Sequence, residues 1–238
     1  MLPLIRHALV AAVIATPALA VEETFDDEDT PLTLSFNDFD TQATGTGKAF
    51  GTAPGFTVED GRLVFYDNSN YGDVGVAQMV PDDIAGGFKV AADVAVKSLD
   101  FTQTKFGVFA FAQGPASYNQ GFAGVYAYVQ EVDTSGNRYR FVLSRNADDK
   151  SVELASSGEF DLTDGSADFS IELVGTMEDG AYQLVARIIE DGDDLVAPLK
   201  ATMTEAERPK GDQFGIRVNP MFNTVEIGFD NVIIGPAS

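Results

Sequence analysis

The chemistry open to this chain is narrowed first by what it lacks. It contains no cysteine and no tryptophan, and its only histidine is His7. Beyond the first twenty residues this excludes Ser-His-Asp and Cys-His nucleophilic catalysis, zinc held by Cys or His, haem with a His or Cys ligand, and disulfides. Carboxylates, tyrosine, lysine or a hard metal ion remain. Two carboxylates that face one sugar, one of them keeping a proton for the leaving group, make a glycosidase. Glu131 and Asp133 are spaced to share one face of a strand. Asp93 and Glu172 are further strand acids with no partner at that spacing. Glu131 and Asp133 are expected at the surface.

Saccharide binding asks for less: exposed aromatic rings with polar groups beside them. Two stretches have that composition, Tyr66-Asp67-Asn68-Ser69-Asn70-Tyr71 and Ser117-Tyr118-Asn119-Gln120. Both are expected in loops between strands, where binding residues concentrate. The candidate contacts are Tyr66, Asn68, Tyr71, Tyr118 and Asn119. Tyr126, Tyr128 and Tyr139, with Arg138 and Arg140, are read as lining one sheet face. The plainer alternative stays open, since Tyr is a favoured strand residue and Asn and Ser are favoured in turns.

The elements that must position these residues are strands almost throughout. Alternating runs predict strands at Leu32–Phe39, Arg62–Tyr66, Val74–Val80, Phe88–Lys97, Lys105–Ala112, Gly124–Glu131, Arg138–Ser144, Ser151–Ser156, Asp168–Gly175, Tyr182–Ile189, Gln213–Asn219 and Thr224–Ile234. Asp60-Gly61, Asp179-Gly180 and Asp191-Gly192 sit between apolar runs, and Asp-Gly readily takes the positive φ angles of tight hairpins. The one helical candidate, Met203–Arg208, is stopped by Pro209 and spans at most a turn or two. No linker or internal repeat divides residues 32–238, which predicts one antiparallel β-sandwich domain. Its eighteen Phe residues are assigned to the core.

Residues 1–20 read as a secretory signal peptide: Arg6, an apolar run from Ala8 to Ile14, then Ala18-Leu19-Ala20 before cleavage. That run is far shorter than the ~20 residues a bilayer span requires. The expected compartment is the periplasm or the outside of the cell. Residues 21–31 hold six acids between Val21 and Thr30 and are expected to be a solvated, flexible tail. The 238-residue chain has 37 Asp and Glu against 15 Lys and Arg, and losing Arg6 takes its net charge from −22 to −23. So acidic a surface argues against nucleic-acid and membrane-surface partners.

Particular segments point to a family. Ser35-Phe36-Asn37-Asp38-Phe39-Asp40 opens the domain, Phe56-Thr57-Val58-Glu59-Asp60-Gly61-Arg62-Leu63 follows, and Val225-Glu226-Ile227-Gly228-Phe229-Asp230-Asn231-Val232-Ile233-Ile234 closes it. This pattern resembles the concanavalin A-like lectin and glucanase jelly rolls over roughly Leu32 to Ile234. The resemblance implies an all-β, antiparallel two-sheet jelly-roll sandwich. It also implies a structural calcium joining the opening and closing strands, with Asp230 as a side-chain ligand and Asp38 or Asn37 nearby. The alternative is that Asp230-Asn231 caps the strand edge through backbone N–H groups. In the glucanase branch of this fold one strand carries an E-x-D-x-E series. Here Ser135 stands in the place of the last acid, which argues against catalysis. The expected function is a secreted, non-catalytic module that binds a glycan or an extracellular-matrix ligand. The alternatives are a structural or adhesive extracellular protein and a glycoside hydrolase of the same fold.

Overall fold

The computed structural model describes residues 21–23, 25, 35–38, 43–46, 56–67, 74–79, 84, 86–100, 104–117, 121–132, 138–147, 150–162, 167–219 and 224–237. These form two nine-stranded antiparallel sheets. Sheet A runs β15 (Asp193–Asp194), β14 (Ala181–Glu190), β13 (Ala167–Glu178), β7 (Gly87–Asp100), β18 (Thr224–Pro236), β5 (Arg62–Asp67), β4 (Phe56–Glu59). In the same sheet β16 (Leu199–Thr204) pairs with β14, and β1 (Val21–Glu23) pairs with β18. Sheet B runs β11 (Lys150–Ser156), β10 (Arg138–Ala147), β9 (Gly121–Glu131), β8 (Lys105–Ser117), β17 (Gln213–Asn219), β6 (Val74–Met79), β2 (Ser35–Asp38), β3 (Ala43–Thr46), with β12 (Phe160–Asp161) beside β10. The architecture is the antiparallel two-sheet sandwich that the strand pattern predicts, in the all-β jelly-roll form that the family resemblance implies.

Alternation places the core between the sheets. From β7 the residues Phe88, Val90, Ala92, Val94 and Val96 point inward, and from β9 Val125, Ala127 and Val129 meet them. Each fully buried Val, Leu, Ile or Phe contributes roughly 1.5–3 kcal/mol of apolar burial. At one end Phe88 packs among Phe111, Phe214 and Tyr182, with centroids 5.0, 5.6 and 5.9 Å away. All three Asp-Gly turns adopt left-handed geometry: φ is 51° and 73° at Asp60-Gly61, 50° and 79° at Asp179-Gly180, and 51° and 88° at Asp191-Gly192.

Two expectations are corrected. Val21–Glu23 lie in strand β1, registered as Val21 with Ile234, Glu22 with Ile233 and Glu23 with Val232, and Phe25 is 1% exposed in the core. β5 covers β18 only from Val225 to Phe229, so the far half of that edge has free backbone groups that an acidic segment can pair with. The candidate helix also contracts. Met203 is a buried strand residue, and one turn follows in which the Glu207 and Arg208 N–H groups donate to Thr204 O. Glu207 completes a capping box, its carboxylate accepting from Thr204 N–H at 3.0 Å and from the Thr204 hydroxyl at 2.8 Å.

Candidate functional site

The face of sheet B turned away from the core carries a second, smaller cluster: Phe109, Ala112, Tyr126, Tyr128 and Val142. Register assembles it. On β9, Tyr126 and Tyr128 point the same way; on β10, Ser144 lies across from Tyr126 and Val142 across from Tyr128. On the other side Phe109 faces Tyr126, and Gly107 faces Tyr128 and then Arg217. A Cβ at Gly107 would fall 2.1 Å from Ala127 O, so only glycine fits there. The Arg217 guanidinium lies 4.5 Å from the Tyr126 ring centroid, and the Lys105 ammonium 5.6 Å from that of Tyr128. Such stacking stabilises a cation by roughly 0.5–2 kcal/mol, increasing with desolvation.

This face has a closed floor and a half-open rim. Tyr126 is fully buried and Arg217 is 5% exposed, whereas Lys105, Gln130 and Arg140 are partly exposed. Arg140 pairs with Glu153 at 3.0 Å. Burial pushes the Tyr128 phenol above its ordinary pKa, opposed by Arg217 and by a hydrogen bond with Ser144. Tyr128 therefore stays neutral through the physiological range. The rings themselves are buried, Tyr126 at 0% and Tyr128 at 8% exposure, so the groups this face presents are the N–H donors of Lys105, Gln130 and Arg140 at the rim.

The outward face of sheet A is different, with its charges spent on one another. Lys89 pairs with Glu172, and Arg187 with Asp194 at 2.7 Å. A hollow of about 450 Å³ there is lined by Arg62, Asp93, Asp168 and Ser170 among others. Arg62 pairs with Asp168 at 3.1 Å, and Asp93 accepts from the Ser170 hydroxyl and the Asn231 amide.

The residues singled out from sequence separate widely. Tyr126 and Tyr128 do share a face, but Tyr139 does not join them. It is 3% exposed within the core, its ring 6.4 Å from that of Phe160, because alternation sends it inward with Phe141 and Leu143. Glu131 lies across from Tyr139 and is likewise turned in, at 2% exposure, not on the surface. Tyr66 is in sheet A, across from Glu226. Asn68, Tyr71, Tyr118, Asn119, Asp133 and Ser135 lie outside the described residues, as do residues 1–20. Arg138 pairs with Glu159 at 2.7 Å at the surface.

The two metal candidates fall in different sheets, Asp38 in β2 of sheet B and Asp230 in β18 of sheet A. The Asp230 carboxylate accepts the N–H of Asn231 at 2.7 Å, and Asn231, at φ 46°, sits in a bulge of β18. This is the capping geometry. Among the described residues no group of three or more His, Cys, Asp or Glu side chains is placed to hold a metal. No helix among the described residues is long and apolar enough to cross a membrane. Sequence reasoning missed Arg217 and Lys105. The signal for Arg217 was a lone cation at the alternate position of the apolar strand Phe214–Val218.

No family model and no curated protein matches the chain. Solved structures do. The CBM2 module of the Lactobacillus casei BL23 phage J-1 evolved Dit aligns with a TM-score of 0.55 at 10% identity, over 92% of this chain and 96% of that one. The carbohydrate recognition domain of Emp46p aligns at 0.55 and 12% identity, over 77% and 86%. This chain folds as those domains do. An alginate lyase from Klebsiella pneumoniae shares the fold too, with a TM-score of 0.52 at 9% identity over 90% and 98% of the two chains. Fold alone therefore spans binding and catalysis here.

Proposed function

We propose that this protein is a secreted, non-catalytic carbohydrate-binding domain whose ligand face is the outward face of sheet B. The observation that carries the reading is the half-exposed rim of that face, where Lys105, Gln130 and Arg140 stand on adjacent strands above the buried Tyr126, Tyr128 and Arg217. Structural neighbours that are carbohydrate recognition domains, those of Emp46p and Emp47p, support the same class of ligand. Binding without turnover is supported by the placement of Glu131, whose inward direction removes the first acid of Glu131-Val132-Asp133 from that face. The n-region, apolar run and small-residue end of residues 1–20 support secretion.

A glycan array on the secreted protein, followed by calorimetry on the best hit, tests the reading. Arg140→Gln, at the half-exposed rim, should weaken binding about tenfold, the usual weight of one charge-assisted contact. Incubation with the same polysaccharide should release no new chain ends. Release of product, abolished by Glu131→Gln, would overturn the non-catalytic assignment. An array without hits would overturn carbohydrate binding.

A further inference from the structure

A different part of the molecule concentrates positive charge. At one end of the sandwich a cleft of about 570 Å³ opens between the β10–β11 hairpin and the turn after β16. Among the described residues its charged lining is Arg145, Lys150, Arg208 and Lys210 with one acid, Glu207. Among those described residues, four cations to one acid is the reverse of the balance in a chain with 37 acidic and 15 basic residues.

The walls are built rather than incidental. Gly211 packs so tightly on β8 that a Cβ would meet Ala112 O at 1.9 Å. Pro209 is buried, and Arg208 lies 5.0 Å from the ring of Phe111, which holds φ 55° where β8 and β9 shift register. The Thr204 capping box fixes the turn and engages Glu207. On the opposite wall Arg145 is registered with Val152, and Ala147 with Lys150.

The existing pairs leave donors over. Arg145 Nη1 bonds Glu207 Oε1 at 3.1 Å and Glu207 O at 3.3 Å, but its Nε is buried with no acceptor among the described residues. A buried N–H without an acceptor costs roughly as much as a lost hydrogen bond. Arg208 is held by Glu205 at 2.7 Å, whereas Lys150 and Lys210 make no ion pair among the described residues. Beside them Val152, 39% exposed, presents an apolar surface.

We infer that this cleft is a separate binding site for a sugar bearing an oxyanion, a carboxylate or a sulfate. Lys150 and Lys210 receive the charged group, and Val152 lies against the apolar side of the ring. The volume is within the ~300–1,000 Å³ of small-molecule clefts. The inference does not rest on the sheet B reading, since Arg145 points to the opposite side of β10 from Ser144.

Calorimetry on the whole secreted protein with glucuronate, glucose 6-sulfate and glucose tests it. The charged sugars should bind and glucose should not, with affinity falling as salt is added. Lys150→Gln/Lys210→Gln changes two exposed side chains, so its melting temperature should stay at the wild-type value while affinity falls about tenfold or more. The tighter of the two anions identifies the source of the oxyanion. Charged sugars that bind no better than glucose, or a double variant with wild-type affinity, would overturn the assignment.

Discussion

Gly175→Ala puts the packing at the cleft end of the sandwich to a quantitative test. Gly175 of β13 lies directly across from Phe88, and a Cβ there would fall 2.3 Å from Phe88 Cε1 and 2.7 Å from Cζ, where ordinary contact begins at 3.4 Å. The ring would have to move by about 1 Å. Phe88 cannot swing aside, because it is fully buried among Phe111, Phe214 and Tyr182. Overpacking of this kind costs about 1–3 kcal/mol. At an unobstructed strand position the same change should instead stabilise by ~0.5–1 kcal/mol, since alanine loses less backbone entropy. The net expectation is a loss of about 1–2 kcal/mol, which for a domain of this size lowers Tm by about 2–8 °C. In a Phe88→Leu background the clash is relieved, and alanine at 175 should be neutral or stabilising. The double-mutant cycle then gives a coupling of about 1–3 kcal/mol. Thermal and urea unfolding of the four proteins provide the numbers. A higher Tm for Gly175→Ala alone, or the same change in both backgrounds, would refute the steric reasoning.

Other expectations follow from single contacts. Phe25→Ala should cost about 3–5 kcal/mol, as for a buried core phenylalanine; an unchanged melting curve would return Phe25 to a solvated tail. Hydrogen bonds from the Thr204 N–H and hydroxyl, with Arg145 adding, hold the Glu207 carboxylate below the usual glutamate range. Its stabilisation is full above the ordinary glutamate pKa and is lost as pH falls through the lowered one. Glu207→Gln should therefore be less stable than wild type at neutral pH and converge with it in acid, and a gap constant with pH would contradict this. Chelation should leave the melting temperature unchanged, because the Asp230 carboxylate serves Asn231. A chelator-induced drop that Asp230→Ala abolishes would restore the calcium ligand that the family resemblance implies.

The long strands were legible because each carries enough alternation to show a period of two, and the Asp-Gly pairs marked the hairpins between them. β1, β12 and β15 were not, since two or three residues carry no period and their pairing is dictated by a free neighbouring edge. Met203 looked helical because the residues after it are good helix formers, while its burial beside Tyr182 comes from a strand partner distant in sequence. The same limit governs the site. Tyr126 and Tyr128 could be placed on one face from their spacing alone. Tyr139 could not be separated from them, because the direction of each strand's alternation relative to the core depends on register with its neighbour. Arg217 and Arg145 were hidden for a related reason: their partners, Tyr126 and Glu207, lie on other strands or turns that only the sheet order brings near.

The central claim, carbohydrate binding on the outward face of sheet B, is tested most directly by mapping a bound glycan on the backbone amides of the secreted protein by NMR. The largest shifts are expected at Lys105, Tyr126, Tyr128, Gln130, Arg140 and Arg217. Shifts confined to the outward face of sheet A, around Asp93, Ser170 and Glu172, would contradict the claim.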